Sequence, residues 1–175
     1  MRFKTFETDR LQLIPTSETD AEFVLRLMNT PKWIQFIGDR NVHTLEDARA
    51  YIQKRMRPQL ERLGYSNYTV IRKDDGMKIG SCGLYDREGL EGIDIGFAFL
   101  PEFEGKGYAF EGSKRIMDAA IEDFGLTQIN AITLPANTSS QKLLEKLGLS
   151  LEKSMYLPND PEELYLYVWR ANRDV

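Results

Sequence analysis

The sequence predicts one α/β (α+β) domain built around a mixed β-sheet. Three observations predict it. The apolar residues change period along the chain, from helical spacing to alternation and back, in the order β–α–α–β–β–β–α–β–α–β–β. No Pro/Gly/Ser-rich linker, repeat or low-complexity tract divides the 175 residues, so a single domain over 1–175 is expected. Hydrophobic residues make up 42% and charged residues 29%, which suits a packed core and not a disordered chain.

Residues 10–14 (RLQLI) alternate and read as the first strand. Ser17 opens a helix with Glu18 and Asp20 in its first turn and a stripe of Ala21, Val24, Leu25, Leu27 and Met28. Pro31 interrupts it, and Trp33, Phe36 and Ile37 form a short apolar continuation. Thr44 with Asp47 is a capping box. The helix behind it carries Ala48, Tyr51, Ile52, Met56, Leu60 and Leu63, should kink or split at Pro58, and ends at Gly64. Strands at 67–73 and 78–85 flank the turn Asp74-Asp75-Gly76. Residues 93–99 (IDIGFAF) put Ile93, Ile95, Phe97 and Phe99 on one face and Asp94, Gly96 and Ala98 on the other. A long helix is expected from Gly105 to Phe124, stopped by Gly125. A strand at 128–134, a capped helix at 138–147 and strands near 150–156 and 163–169 complete the chain. The last strand is apolar on both faces, so it should be covered on both.

Composition narrows the function. The chain carries 23 basic and 27 acidic residues, net −4, which argues against a nucleic-acid partner. No apolar run reaches the ~18 residues of a membrane span. The first ten residues, MRFKTFETDR, lead into no apolar signal segment, so a cytoplasmic protein is expected. One cysteine, Cys82, excludes an internal disulfide and reads as a core residue. One histidine, His43, excludes a His-rich metal site, and no metal is expected.

Chemistry concentrates where the strand 93–99 passes through Pro101-Glu102-Phe103-Glu104 into Gly105-Lys106-Gly107-Tyr108-Ala109. The first N–H groups of a helix lack internal partners and carry partial positive charge. Two glycines let a ligand approach the backbone, and Lys106 adds a charge. A pyrophosphate fits such a place, and so does a plain turn. A Walker A loop would need glycine where Leu100 stands, and a Rossmann fingerprint would need Gly or Ala where Phe110 stands. Farther on, Asn137-Thr138-Ser139-Ser140 caps a helix containing Lys142-Leu143-Leu144-Glu145-Lys146-Leu147-Gly148.

Taken together, Gly-Lys-Gly-Tyr-Ala after a strand and Asn-x-x-Ser with Leu-Glu-Lys-Leu-Gly behind it resemble the GNAT acetyltransferases. The phrase Thr8-Asp9-Arg10-Leu11-Gln12-Leu13, the segment Ile95-Gly96-Phe97 and Glu111 after Gly-Tyr-Ala-x are similar to the ribosomal-protein N-terminal acetyltransferase (RimJ/RimL-like) subgroup. The resemblance implies a mostly antiparallel central sheet of about seven strands, splayed after 93–99, with helices on both faces. It implies acetyl-CoA as co-substrate and transfer to a primary amine, on a protein N-terminus or a small molecule, in a ternary complex. Backbone at Phe97, Ala98 and Phe99 would pair with the pantetheine arm. Gly105, Lys106, Gly107, Tyr108 and Ala109 would hold the pyrophosphate. Asn137 would bond the pantetheine, Ser140 would lie near the sulfur, and Lys142 would reach a phosphate. The protein would act as a monomer or homodimer.

Asp94 matches the acidic place that the family carries on this strand, which makes it the leading general base, and the resemblance would make Ser140 a donor to the departing thiolate beside its role in the helix cap. Tyr68 and Tyr85 read as sheet packing. The sequence departs from the family pattern twice. Glu104 stands where Gln or Arg is usual, a carboxylate beside a pyrophosphate. Leu144 stands where many members carry a tyrosine acid. These two departures support an alternative reading, a catalytically weak or inactive acyl-CoA-binding module.

Overall fold

A computed structural model describes residues 2–172. Eight strands form a single sheet: β1 (Phe6–Glu7), β2 (Leu11–Pro15), β3 (Asn67–Arg72), β4 (Lys78–Asp86), β5 (Ile93–Phe99), β6 (Gln128–Thr133), β7 (Ser150–Met155) and β8 (Leu164–Arg170). Their order is β1-β2-β3-β4-β5-β6-β8-β7. About seven strands were expected. The additional one is β1, held by the pairs Phe6↔Leu13 and Glu7↔Gln12. Two residues are too few for alternation to register as a strand.

The helices are α1 (Ala21–Met28), α2 (Pro31–Phe36), α3 (Leu45–Tyr51), α4 (Arg57–Leu63), α5 (Tyr108–Glu122) and α6 (Thr138–Lys146). A 3₁₀ turn, Glu18–Asp20, precedes α1. Pro31 does not merely interrupt a helix but begins one, at the position where a missing N–H costs nothing. Thr44 and Asp47 form the expected reciprocal cap, at 3.0 and 3.1 Å. The long apolar helix is split before Pro58 by a π-type turn, Ile52–Met56, in which Arg57 N–H bonds Ile52 O. That wide turn absorbs the break imposed by a residue that cannot donate.

The helix expected from Gly105 begins instead at Tyr108. Gly105 and Gly107 have φ of 73° and 82°, outside the right-handed helical range, so the backbone can enter a helix only after Gly107.

Side-chain alternation assigns the two faces. Leu11, Tyr68, Val70 and Cys82 lie on the face beneath α5, where Gly112 approaches so closely that a Cβ would sit 3.2 Å from Cys82 Sγ. Thr69 points the other way, and its hydroxyl donates to Asp20 Oδ2 at 3.2 Å, seating the turn before α1 on the opposite face. Helices therefore cover both faces. Successive Leu166, Tyr167 and Val168 on β8 are all buried, as expected for a strand covered on both sides.

All neighbouring strands are antiparallel except β5 and β6, which are parallel and share one pair, Asp94↔Asn130. Beyond it β5 continues along β4 alone, from Ile95↔Leu84 to Phe99↔Gly80. β6 instead follows β8. The sheet forks immediately after Asp94. Among the described residues, no helix is long and apolar enough to cross a membrane.

Candidate active site

The fork and the loop beyond it lie on one continuous stretch of chain. Leu100 (0% exposed) and Phe103 are buried and anchor the turn Pro101–Phe103. Glu104, Gly105, Lys106 and Gly107 then run exposed into the first turn of α5. No side chain caps that helix, and its first internal bond is Glu111 N–H to Gly107 O at 3.1 Å. The N–H groups of Tyr108, Ala109 and Phe110 are left without helical acceptors. A Cβ on Gly105 would meet open space, whereas one on Gly107 would lie 3.3 Å from Arg10 Nη2. Tyr108 is buried and Ala109 half-buried, so backbone and not side chain forms the rim here.

Phe97, Ala98 and Phe99 are half-buried on β5, past the fork. The backbone groups of Phe97 and Phe99 face the β6 side and have no strand partner there, whereas those of Ala98 face Ser81 on β4, so the expected Ala98 contact with the arm is not available to its backbone. Asp94 sits at the fork itself. Its carboxylate is 1% exposed and is gripped by Arg87, with Nη2 to Oδ2 at 3.2 Å and Nε to Oδ1 at 3.3 Å. Burial pushes its pKa above the ordinary carboxylate value, and the Arg87 charge opposes that rise. The space over Gly96 is filled by the Tyr85 ring, 2.9 Å from where a Gly96 Cβ would stand. Tyr85 OH in turn donates to Asn67 Oδ1 at 2.5 Å, and burial raises its pKa. Tyr68 is buried in the core beneath α5, with its hydroxyl unpartnered.

On α6, Asn137 Oδ1 accepts Ser140 N–H at 3.3 Å, which is the helix cap read from the sequence. The cap uses the amide oxygen and leaves the amide NH₂ available as a donor. Ser140 is half-buried on the first turn of α6, and Lys142 is exposed. Leu144 is 1% exposed in the core, so no hydroxyl occupies that position. Cys82 is fully buried, 3.7 Å from Ser113 Oγ, and burial pushes its thiol up to about 12. Such a thiol is no nucleophile at neutral pH. No group of three or more His, Cys, Asp or Glu side chains suited to a metal occurs among the described residues.

Three partners of these residues come from distant parts of the chain or from beyond a strand end. Lys32 on α2 holds Glu104 at 2.5 Å, so the carboxylate that stood out beside the loop is neutralised from across the fold. Arg87 pairs with Asp94, and Arg10 bonds Lys106 O at 3.0 Å. Glu104 and Lys32 are 72 residues apart, and Arg10 and Lys106 are 96 apart, so no local pattern marks either pair. Arg87 lies seven residues from Asp94, just past the end of β4, whereas the ladder register sets Tyr85 opposite Asp94.

The family profile described as an acetyltransferase (GNAT) domain matches residues 10–150. The chain belongs to the GNAT acetyltransferase family. Among GNAT relatives, YoaA of Bacillus subtilis (strain 168), an uncharacterized N-acetyltransferase, is 26% identical over 94% of this chain and 96% of its own. YnaD of the same organism, also an uncharacterized N-acetyltransferase, is 31% identical over 83% of this chain and 82% of its own. A GNAT-family acetyltransferase structure from Bacillus anthracis superposes with a TM-score of 0.78 at 25% identity, covering 95% of this chain and 98% of its own. RimL, a ribosomal L7/L12 alpha-N-protein acetyltransferase solved with coenzyme A, superposes at 0.82 with 18% identity, over 98% and 100% of the two chains; that likeness is one of fold.

As a GNAT member, the protein is an acetyl-CoA-dependent acetyltransferase. Its residues fit that co-substrate. The unladdered edge of β5 suits an amide-bearing arm, and the bare N–H groups at Gly105–Ala109 suit a pyrophosphate.

Proposed function

We propose that the protein moves an acetyl group from acetyl-CoA directly to a primary amine in a ternary complex, within one domain of the RimJ/RimL-like type. The amine belongs to a protein N-terminus or a small molecule. The observation that carries this reading is the fork after Asp94, which opens backbone groups of β5 on the same strand that leads to the N–H-rich loop. The subgroup assignment rests on Thr8-Asp9-Arg10-Leu11 and Glu111, of which Thr8, Arg10, Leu11 and Glu111 meet in one hydrogen-bonded cluster.

Acetyl-CoA supplies the activated thioester. Backbone at Phe97 and Phe99 holds the arm, Ala98 between them being tied to Ser81 of β4, and a β5 N–H polarises the carbonyl. Gly105, Lys106, Gly107, Tyr108 and Ala109 present N–H groups to the pyrophosphate, with Lys142 reaching a phosphate. Asn137 donates its amide NH₂ to the arm, and Ser140 offers a hydroxyl proton near the sulfur. Asp94 accepts the amine proton through water, since its carboxylate is too buried to touch the acceptor. Its raised pKa makes it a stronger base than an exposed aspartate. The alternative of an inactive acyl-CoA-binding module is not favoured. One of the two departures behind it, Glu104, is answered by Lys32.

Thermal unfolding with and without acetyl-CoA tests the co-substrate, followed by thiol release across a panel of N-terminal peptides and small amines. At ~100 times its Kd the ligand should add ~2.7 kcal/mol. Stabilisation with thiol release that depends on an amine is expected. Stabilisation with no release from any amine would overturn the transferase reading, and no stabilisation would overturn the binding site.

A further inference from the structure

We propose that Arg10 is a positioning residue for the cofactor loop, turning the Lys106–Gly107 peptide so that its N–H faces the pyrophosphate. The inference rests on the acetyl-CoA reading of this loop. Its geometry starts at the Lys106 carbonyl, which accepts Arg10 Nη1 at 3.0 Å. The described chain has no cis peptide bond. In a planar trans peptide the C=O and the following N–H point in opposite directions. Fixing the Lys106 oxygen on Arg10 therefore fixes the Gly107 N–H on the side away from Arg10. An anion cradle of backbone groups works only when N–H groups point inward and carbonyls outward. A freely rotating Lys106–Gly107 peptide, flanked on one side by the permissive Gly107, would turn its oxygen toward the phosphate part of the time.

Arg10 is itself held in place. Its Nε donates to Glu111 Oε1 at 2.7 Å, and its guanidinium lies 4.3 Å from the centroid of the Tyr108 ring. Glu111 Oε2 accepts the Thr8 hydroxyl at 2.5 Å and the Arg10 backbone N–H at 3.2 Å. Thr8 Oγ1 accepts Leu11 N–H at 3.0 Å, closing the ring of bonds. One planar fork thus ties the loop to the first turn of α5 and to the start of β2. A lysine head, which cannot serve carbonyl and carboxylate in that fixed geometry, would not replace it. Gly107 lies against this fork, and a side chain there would press on Arg10. The arrangement accounts for Thr8 and Arg10, which lie 103 and 101 residues from Glu111, and for Glu111 itself, none of which has an assigned part in the chemistry.

The test compares acetyl-CoA with S-acetylpantetheine, which keeps the arm and lacks the pyrophosphate. Calorimetric titration gives Kd for both ligands with wild type, Arg10→Gln, Arg10→Lys and Glu111→Gln, each checked for a cooperative thermal transition. Arg10→Gln is expected to weaken acetyl-CoA binding about tenfold or more and S-acetylpantetheine binding less than about twofold. Arg10→Lys should resemble Arg10→Gln. If neither Arg10 variant folds, Glu111→Gln, which loosens the fork without removing it, should show a smaller loss with the same selectivity. Unchanged acetyl-CoA affinity in the folded variants, equal losses for both ligands, or full rescue by lysine would overturn the positioning role. A wild type that binds both ligands equally would instead remove the loop from the cofactor site, overturning the underlying reading as well.

Discussion

Asp94→Asn separates a proton acceptor from a buried structural charge. The wild-type carboxylate is 1% exposed and its partner Arg87 28% exposed. The substitution keeps the side-chain shape and leaves a largely buried guanidinium without a counter-ion. A hydrogen bond to a charged group is worth about 1.5–3 kcal/mol. Breaking a fully buried pair costs about 3–5 kcal/mol. The contacts here are 3.2 and 3.3 Å, and Arg87 keeps some water, so the loss falls below that of a fully buried pair and within the charged hydrogen-bond range, about 2 kcal/mol. For a domain of this size each kcal/mol moves Tm by roughly 2–4 °C, which predicts a fall of about 4–8 °C. Scanning calorimetry at pH 7 measures it. The same variant should lose the acid limb of the kcat/KM profile, a limb that burial places above the pH of an ordinary aspartate. A Tm within about 1 °C of wild type would refute the pairing argument. An acid limb unchanged in Asp94→Asn would refute Asp94 as the base.

Other perturbations follow from the same geometry. Lys32→Ala strips the counter-charge from Glu104 and should weaken acetyl-CoA binding about threefold, the effect of one charge at ~6 Å in a water-like medium. Glu104→Gln in that background should restore it, as read by titration calorimetry. The Cys82 thiol should resist a disulfide reagent at pH 8 in the native protein and react on unfolding in guanidinium, since burial keeps it protonated. Burial pushes the Glu111 pKa up, but hydrogen bonds from Thr8 and Arg10 outweigh it and hold it below the usual value. Its contribution is therefore present above ~pH 4.3 and lost as pH falls through the lower folded value. Glu111→Gln should flatten the urea midpoint against pH across that acid window.

Much of the fold was legible because its signals are local. Leu11 and Leu13 alternate with Gln12 and Ile14 as β2 does, and the Thr44–Asp47 cap is spelled within four residues. The start of α5 was misjudged by one turn for an equally local reason. Two glycines mark a special backbone, but their positive φ places them before the helix and not in it. The two-residue β1 falls below any period.

Residue order alone determined the order of the seven longer strands and the helices between them, the glycine loop ahead of α5 and the cap at Asn137, because each depends on neighbours a few positions away. Tertiary structure decided the rest. IDIGFAF alternates in the same way whether β6 follows it or departs, so the fork appears only when β6 commits to β8. Docking of α2 brings Lys32 to Glu104, and pairing of β2 beside α5 brings Arg10 to Lys106 and Glu111. Opposite charges attract wherever the fold places them, and periodicity reports which face is buried, not what lies opposite.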